Sequence, residues 1–320
     1  MTPTNPTPRT RSRLRRTVRP AVLFVAAGAL LAAAPAVFAG ATPGAVASGA
    51  AAKSCILAFQ PPLAVDHERQ PLPARLVLQR LAERLHAVPA DTQTGLYAYN
   101  AVQMQAADST LDSPCVQTVT AYATKQHWRA ANDSGQVTSI PWHHDPANPP
   151  PSDTTYPTGA LLGVVPDPVP TDPAVLAAAL DAAYPPSDSA TLAQPLHADD
   201  TIRQRRLTGT AARLRAVADL NAWSYTNRDA RRAVLLVLAD IAGLDYRRSV
   251  AGYPNAIAVS ADSGDWRDLL VINLASGAVL AYEQVLLRNG AQLGVHTPYS
   301  NARTTYTASG RTPQAGQAPA

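Results

Sequence analysis

Residues 268–287 read DLLVINLASGAVLAYEQVLL. Two apolar runs flank a turn of small residues, and one carboxylate, Glu283, sits inside the second run. The stretch is too short and too broken by its turn for a membrane helix. Leu274-Ala275-Ser276-Gly277 suits a hairpin loop built on a type I turn, with Gly277 at positive φ. In the second strand Val279, Ala281, Glu283, Val285 and Leu287 share one face, and Leu280, Tyr282, Gln284 and Leu286 share the other. Both faces are mostly apolar, so both are expected to be covered or to line a cavity. A carboxylate in a closed core is costly unless paired. The Glu283 face is therefore expected to be the wetter one, with Leu280, Tyr282 and Leu286 facing the core. Glu283 itself reads as an edge carboxylate or as the partner of an arginine such as Arg247.

The strands before this hairpin fit an antiparallel sheet. Asp245 to Val250 and Asn255 to Ser260 are short, strand-like and separated by Gly252-Tyr253-Pro254. Ser263-Gly264-Asp265 is a second turn. Asn227 to Leu244 carries the strongest helical stripe, with Val234, Leu235, Leu238 and Ile241 on one face, Asn227 as cap and Gly243 as stop. Asp199 to Trp223 is arginine-rich and helical. Thr171 or Asp172 caps a short helix from Ala174 to Tyr184, with Pro173 in its first turn. Upstream, Pro73 to Val88 is a helix with leucines at 76, 78, 81 and 85. Thr94 to Ala106, Val116 to Trp128 and Gln136 to Ile140 alternate as strands of a meander. Pro141 to Pro170 is proline-rich and loop-like.

The N-terminus has a different character. Six arginines and no acid lie in the first twenty residues. Without them, 21 basic residues face 23 acidic ones. The pI of about 9.2 therefore belongs to this segment and not to a basic binding face. Nucleic-acid binding, which needs clustered Lys and Arg, is not expected. Residues 21–39, AVLFVAAGALLAAAPAVFA, follow directly as an apolar run. Residues 1–39 are thus either an export signal, cleaved after Ala39 or Ala47, or a single membrane anchor. In both readings the arginines stay inside and the body is extracytoplasmic. Residues 40–52 form a flexible linker, 53–297 a single α+β domain, and 298–320, rich in Thr, Ser, Gly, Gln and Pro, a disordered tail. In an oxidising compartment Cys55 and Cys115 are expected to form a disulfide.

The order of these pieces resembles an actinobacterial family of exported or membrane-anchored proteins, often encoded beside extracytoplasmic-function sigma factors. The matching stretches are VPTDPAVLAAAL, AVLLVLADIAGLDY and LLVINLASGAVLAYEQVLL, with KQHWRAANDSGQ at residues 125–136. Asn273-Leu274 stands where that family has Asp-Pro before the turn. The resemblance spans roughly Val77 to Leu287. It implies a lipoprotein-carrier-like fold, in which a curved antiparallel sheet wraps around helices, and it brings no catalytic residues.

Chemistry-bearing motifs are sparse. His143, His144 and Asp145 lie together, but neighbouring side chains in extended chain point opposite ways and chelate one metal badly. Arg203, Arg205 and Arg206 read as a solvated helix face. No metal, cofactor or catalytic residue is expected from the motifs present. The expected function is a non-catalytic extracytoplasmic binding or sensing module, with an apolar small molecule or an envelope protein as partner. The alternative is an exported hydrolase whose site one sequence does not reveal.

Overall fold

The computed structural model describes residues 57–64, 72–112, 115–141, 151–161, 166–183 and 209–319. The strands are β1 (Leu72–Pro73), β2 (Tyr97–Asp112), β3 (Cys115–Ala130), β4 (Gly135–Pro141) and β5 (Ser152–Tyr156). They continue with β6 (Asp245–Arg247), β7 (Ala256–Ser263), β8 (Trp266–Asn273), β9 (Val279–Leu286) and β10 (Tyr299–Thr312). The helices are α1 (Arg75–Arg84), α2 (Pro173–Ala183), α3 (Gly209–Trp223) and α4 (Arg228–Ala239). The ten described strands belong to one curved, open antiparallel sheet in the order β1-β6-β7-β8-β9-β10-β2-β3-β4-β5. The fold class is α+β.

The topology joins two meanders, β6 to β9 and β2 to β5, through the last strand. β10 pairs with β9 on one side and β2 on the other. This overturns the expectation of a disordered tail from residue 298. Its composition is polar, but Thr, Tyr and Arg alternate as SNARTTYT and pair on both edges, which suits a half-buried strand. The proline-rich stretch after Pro141 also differs from expectation: β5 forms there as an almost wholly exposed edge strand.

The caps follow the sequence closely. Asp172 accepts hydrogen bonds from the N–H groups of Ala174 and Val175, both at 2.9 Å. Asn227 caps α4 by accepting from Ala230 N–H at 2.9 Å. Helix α3 differs most from its sequence pattern. It lies across β2, β3, β7, β8 and β9. Eleven of its residues, from Ala211 to Trp223, are buried. Five of these are alanines, which let the helix sit close to the sheet and under α2. Its polar side chains are met from within the helix, Arg215 by Asp219 one turn on. Helix α4 does not lie along the hairpin at 268–287. It meets the hairpin at its turn, where Gly277 at φ +66° packs against Leu85 and Leu235.

Residues 57–64 and the C-terminal residues cover the convex face of the sheet. Residues 57–64 cross it near β7 to β10, with Leu63 and Ala64 buried against Ala256, Ala258, Leu269, Val271 and Ala281. The C-terminal residues cross it near β2 and β3. Ala315 packs on the Tyr99, Ala101 and Trp128 cluster, and the Trp128 indole N–H donates to the Gln317 carbonyl at 2.7 Å. The strands around Glu283 are thus covered on both faces, and the Glu283 face is not the wetter one.

Two further corrections concern β9. Its pairing with β8 slips between Val271 and Ile272, so that Ala281 faces Val271 while Val279 faces Ile272. This bulge puts Val279 and Tyr282 on the helix side, and turns Leu280 towards the convex face, where it is half-buried. Leu280 is therefore not a core leucine. Glu283 is fully buried, and its partner is Arg303 on β10, not Arg247. Arg247 instead donates to the Ser260 hydroxyl.

Cys55 and the side chain of Cys115 lie outside the described residues, and so do residues 1–39, His143, His144, Asp145 and the arginines at 203, 205 and 206. No helix among the described residues is long and apolar enough to cross a membrane.

Candidate site on the concave face

The concave side of the sheet is only partly filled by α3. Side chains of paired residues in neighbouring strands share a face. One row therefore runs Tyr282, Thr304, Met104, Ala123 across β9, β10, β2 and β3. The adjacent row runs Gln284, Ala302, Ala106, Ala121. Ala106 and Ala121 are exposed, and Gln284, Ala302, Thr304 and Met104 are half-buried. Apart from Gln284 and Thr304, the floor of this trough is made of alanines, Met104 and the Tyr282 ring. Tyr282, Thr304 and Met104 of its first row, with Val102, Tyr306 and Lys125 of the row beneath α3, border a cavity of about 80 Å³.

Helix α3 supplies the roof. Arg215 Nε lies 3.1 and 3.2 Å from the two carboxylate oxygens of Asp219. The same guanidinium sits over the Tyr282 ring, 5.4 Å from its centre. The Tyr282 hydroxyl donates to Asp268 Oδ1 at 2.6 Å, and Gln284 Nε2 donates to both groups, at 3.3 Å to Asp268 and 3.1 Å to Tyr282. The Tyr306 hydroxyl donates to the Ala218 carbonyl at 2.6 Å. At the far end of α3, His127 Nδ1 lies 2.6 Å from the Ala222 carbonyl. A carbonyl only accepts, so Nδ1 carries the proton. The imidazole stacks on Trp223 at 4.3 Å and 6°, and Tyr156 meets the indole edge-on.

Burial dominates the electrostatics here. It pushes His127 down to about 4, with Lys125 adding to the fall and the Ala222 hydrogen bond opposing it. Burial pushes the Asp219 carboxyl up to about 8, although Arg215 faces it. Tyr282 is raised well above the usual phenol range by burial and then by the Asp268 charge, and Tyr306 by burial and then by Asp219. Burial therefore favours the neutral forms of the His127 imidazole, the Asp219 carboxyl and the two phenols along this wall.

This arrangement is built to hold its own groups in place. His127 gives its N–H to a backbone carbonyl and does not meet a hydroxyl nucleophile. Tyr282, Asp268 and Gln284 satisfy one another. No group of three metal-ligating side chains occurs among the described residues. The wall residues escape a reading of the sequence, although signals for them exist. Lys125 and His127 are two apart in a strand and so face the same side. Arg215 and Asp219 are four apart in a helix. Glu283, singled out in the sequence, faces away from this site and serves the convex side.

The chain matches no family model, and a comparison with the curated proteins gives no match.

Proposed function

We propose that this chain is exported and that its α+β body acts, without catalysis, as a binding or sensing module for an apolar, lipid-like ligand on the concave face of its sheet. The observation that carries this reading is the half-open row of Met104, Ala106, Ala121, Ala123 and Ala302, which meets the cavity under α3 at Met104. Ligand sites are concave and mainly apolar, with a few placed polar groups. Arg215, Lys125 and Thr304 are such groups at the inner end. The enclosed part, about 80 Å³, is well below the roughly 300–1,000 Å³ of a drug-sized pocket. Most of the ligand would thus lie along the open trough, with its inner end at the cavity.

Export rests on the arginine-rich start followed at once by the apolar run of residues 21–39. A reporter active only in the cytoplasm, fused after Ala320, should be silent; a bright reporter would sink this part. Binding is tested by native mass spectrometry of protein purified from its source cell, which should show a co-purifying lipid. Ala106→Trp, which fills the trough at an exposed position, should remove that species while the circular dichroism spectrum stays native. A ligand-free spectrum of the unaltered protein would overturn the binding reading.

A further inference from the structure

We propose that the convex face carries a peptide-recognition seat, now filled by the chain's own residues 57–64, and that its partner class is an extended segment with a Pro-Pro-Leu core. This site lies on the opposite face from the trough and does not depend on the ligand proposed there.

The seat reads the segment as it would read a bound peptide. Rungs run along the backbone. Ala58 N–H donates to Gly294 at 2.8 Å, and the Ala58 carbonyl accepts from His296 at 2.9 Å. The Gln60 carbonyl accepts from Ser300 at 2.9 Å, and the Leu63 carbonyl from Ala251 at 2.7 Å. Ala58 forms an isolated parallel bridge with Val295, so the segment is no regular strand of the sheet. Phe59 points out to solvent, 69% exposed, whereas Pro62, Leu63 and Ala64 are all buried.

A buried ion pair completes the seat. Glu283 Oε2 accepts the Leu63 N–H at 2.8 Å. Its Oε1 accepts from the Ser300 hydroxyl at 2.6 Å and from Arg303 at 2.6 and 3.0 Å. Arg303 Nη2 also donates to the Pro61 carbonyl at 3.1 Å. The pair therefore grips the carbonyl before Pro62 and the N–H after it. Pro62 has no N–H of its own to satisfy. Two consecutive prolines favour the extended conformation in advance, which lowers the ordering cost of binding. Specificity comes from Leu63, which is 7% exposed and fills an apolar pocket of Val250, Ala258, Leu269 and Val271. Charges that satisfy a segment's backbone, with one side chain in a pocket, make an interface that any chain of this pattern can enter.

While the segment is covalently attached, its local concentration is on the order of millimolar, so the seat is self-occupied. The test cuts that link. A protease recognition sequence is inserted between Ala64 and Leu72 of the full chain, the protein is cleaved, and a labelled peptide LAFQPPLA is added. The cleaved protein should keep its native circular dichroism and take up the peptide at least tenfold better than the uncleaved chain. The same peptide with Leu63→Asp should not be taken up. If cleavage unfolds the protein, or if the native cleaved protein takes up no peptide, or takes up both peptides equally, the segment is a fixed part of the fold and the proposal fails.

Discussion

Arg303 on β10 lies 2.6 Å from Glu283 on β9, and this one contact ties the last strand of the chain to the segment that enters the domain. Glu283 is fully buried, whereas Arg303 keeps a rim of solvent. Through the pair, β9, β10 and residues 61–63 share one hydrogen-bonded node. The apolar runs around Glu283 pack on Ala281 and Leu269 on one side of the sheet and on Tyr282 and Leu270 on the other.

Glu283→Gln should therefore destabilise strongly. It leaves Arg303 without its charge partner and places an amide where three donors converge. Breaking a buried pair costs about 3–5 kcal/mol, and the partial exposure of Arg303 puts this case near the lower end. Leu280→Ala should cost about 1 kcal/mol, because the β9 bulge leaves that leucine half-buried. Urea melts of the two variants would check the order. A larger loss for Leu280→Ala would mean that the bulge is misplaced.

Much of the secondary structure is legible in the sequence because its signals are local. Asp172, Asn227 and Gly277 act within one turn of chain, and the caps and the loop stand where their residues imply. Asn273 accepts from the N–H groups of Ala275 and Ser276 at 2.9 and 3.0 Å and shapes the turn from its side chain. Three features are not legible. The central place of β10 depends on pairing with strands made far earlier in the chain. The bulge that turns Leu280 outwards breaks strict alternation without any glycine or proline to mark it. The burial of α3 is masked by Arg213, Arg215 and Asp219; Arg213 meets Asp181 of α2, a partner seen only in three dimensions. The candidate site is illegible for the same reason, since its wall combines α3 with four strands.

The pH dependence of stability should carry two opposed slopes. His127 is held near 4 in the fold against an ordinary 6.5. Its contribution is complete above pH 6.5 and is lost as pH falls towards 4, about 3 kcal/mol in all. Asp219 is held near 8 against 3.8. Its contribution is complete below pH 4 and is lost as pH rises towards 8. The two slopes offset each other between pH 4 and 6.5, so His127→Phe should remove the acid-side loss and let stability rise as pH falls from 6.5 to 4. Asp219→Asn should remove the decline between pH 6.5 and 8 and leave the rise with pH that His127 contributes between 4 and 6.5. Denaturation midpoints at unit pH steps would measure both, and unchanged slopes would contradict the burial of these groups.

Truncation should separate the two parts of the C-terminus. Ending the chain at Pro298 removes β10 and leaves two half-sheets with open edges, and no cooperative unfolding transition is expected. Ending it at Thr312 keeps the strand but uncovers Trp128, which loses its acceptor at Gln317 and its cover from Ala315. That variant should fold, lose about 1–3 kcal/mol, and show red-shifted tryptophan emission. An unshifted spectrum would mean that the terminal residues do not cover Trp128 in solution.

The thiols offer a compartment-linked test. A bridge between Cys55 and Cys115 would close a loop of about 60 residues and stabilise by about 3–4 kcal/mol in the chain-entropy view. Exported protein, unfolded without reductant and treated with a thiol reagent, should take up no label. Two labelled cysteines would rule the bridge out.

The hairpin turn gives the most local prediction. Gly277 lies at φ +66°, a region that costs a residue with a Cβ about 1–2 kcal/mol. A Cβ there would also stand 2.8 Å from Leu85 Cδ1 and 3.1 Å from Leu235 Cδ1. These leucines belong to the core between the hairpin, α4 and the end of α1, so they move only by losing packing of their own. The turn is also held from outside, since Arg231 Nε donates to the Ser276 carbonyl at 2.9 Å. Gly277→Ala should therefore cost about 2–4 kcal/mol, the conformational strain and the overpacking adding together. Gly264, in the turn between β7 and β8, has a similar φ of +62°, but a methyl group added there would meet nothing within 4 Å. Gly264→Ala should thus cost only the strain, about 1–2 kcal/mol. Thermal melts of the two variants isolate the packing contribution as their difference. Equal losses would show that the β8–β9 turn does not press on Leu85 and Leu235.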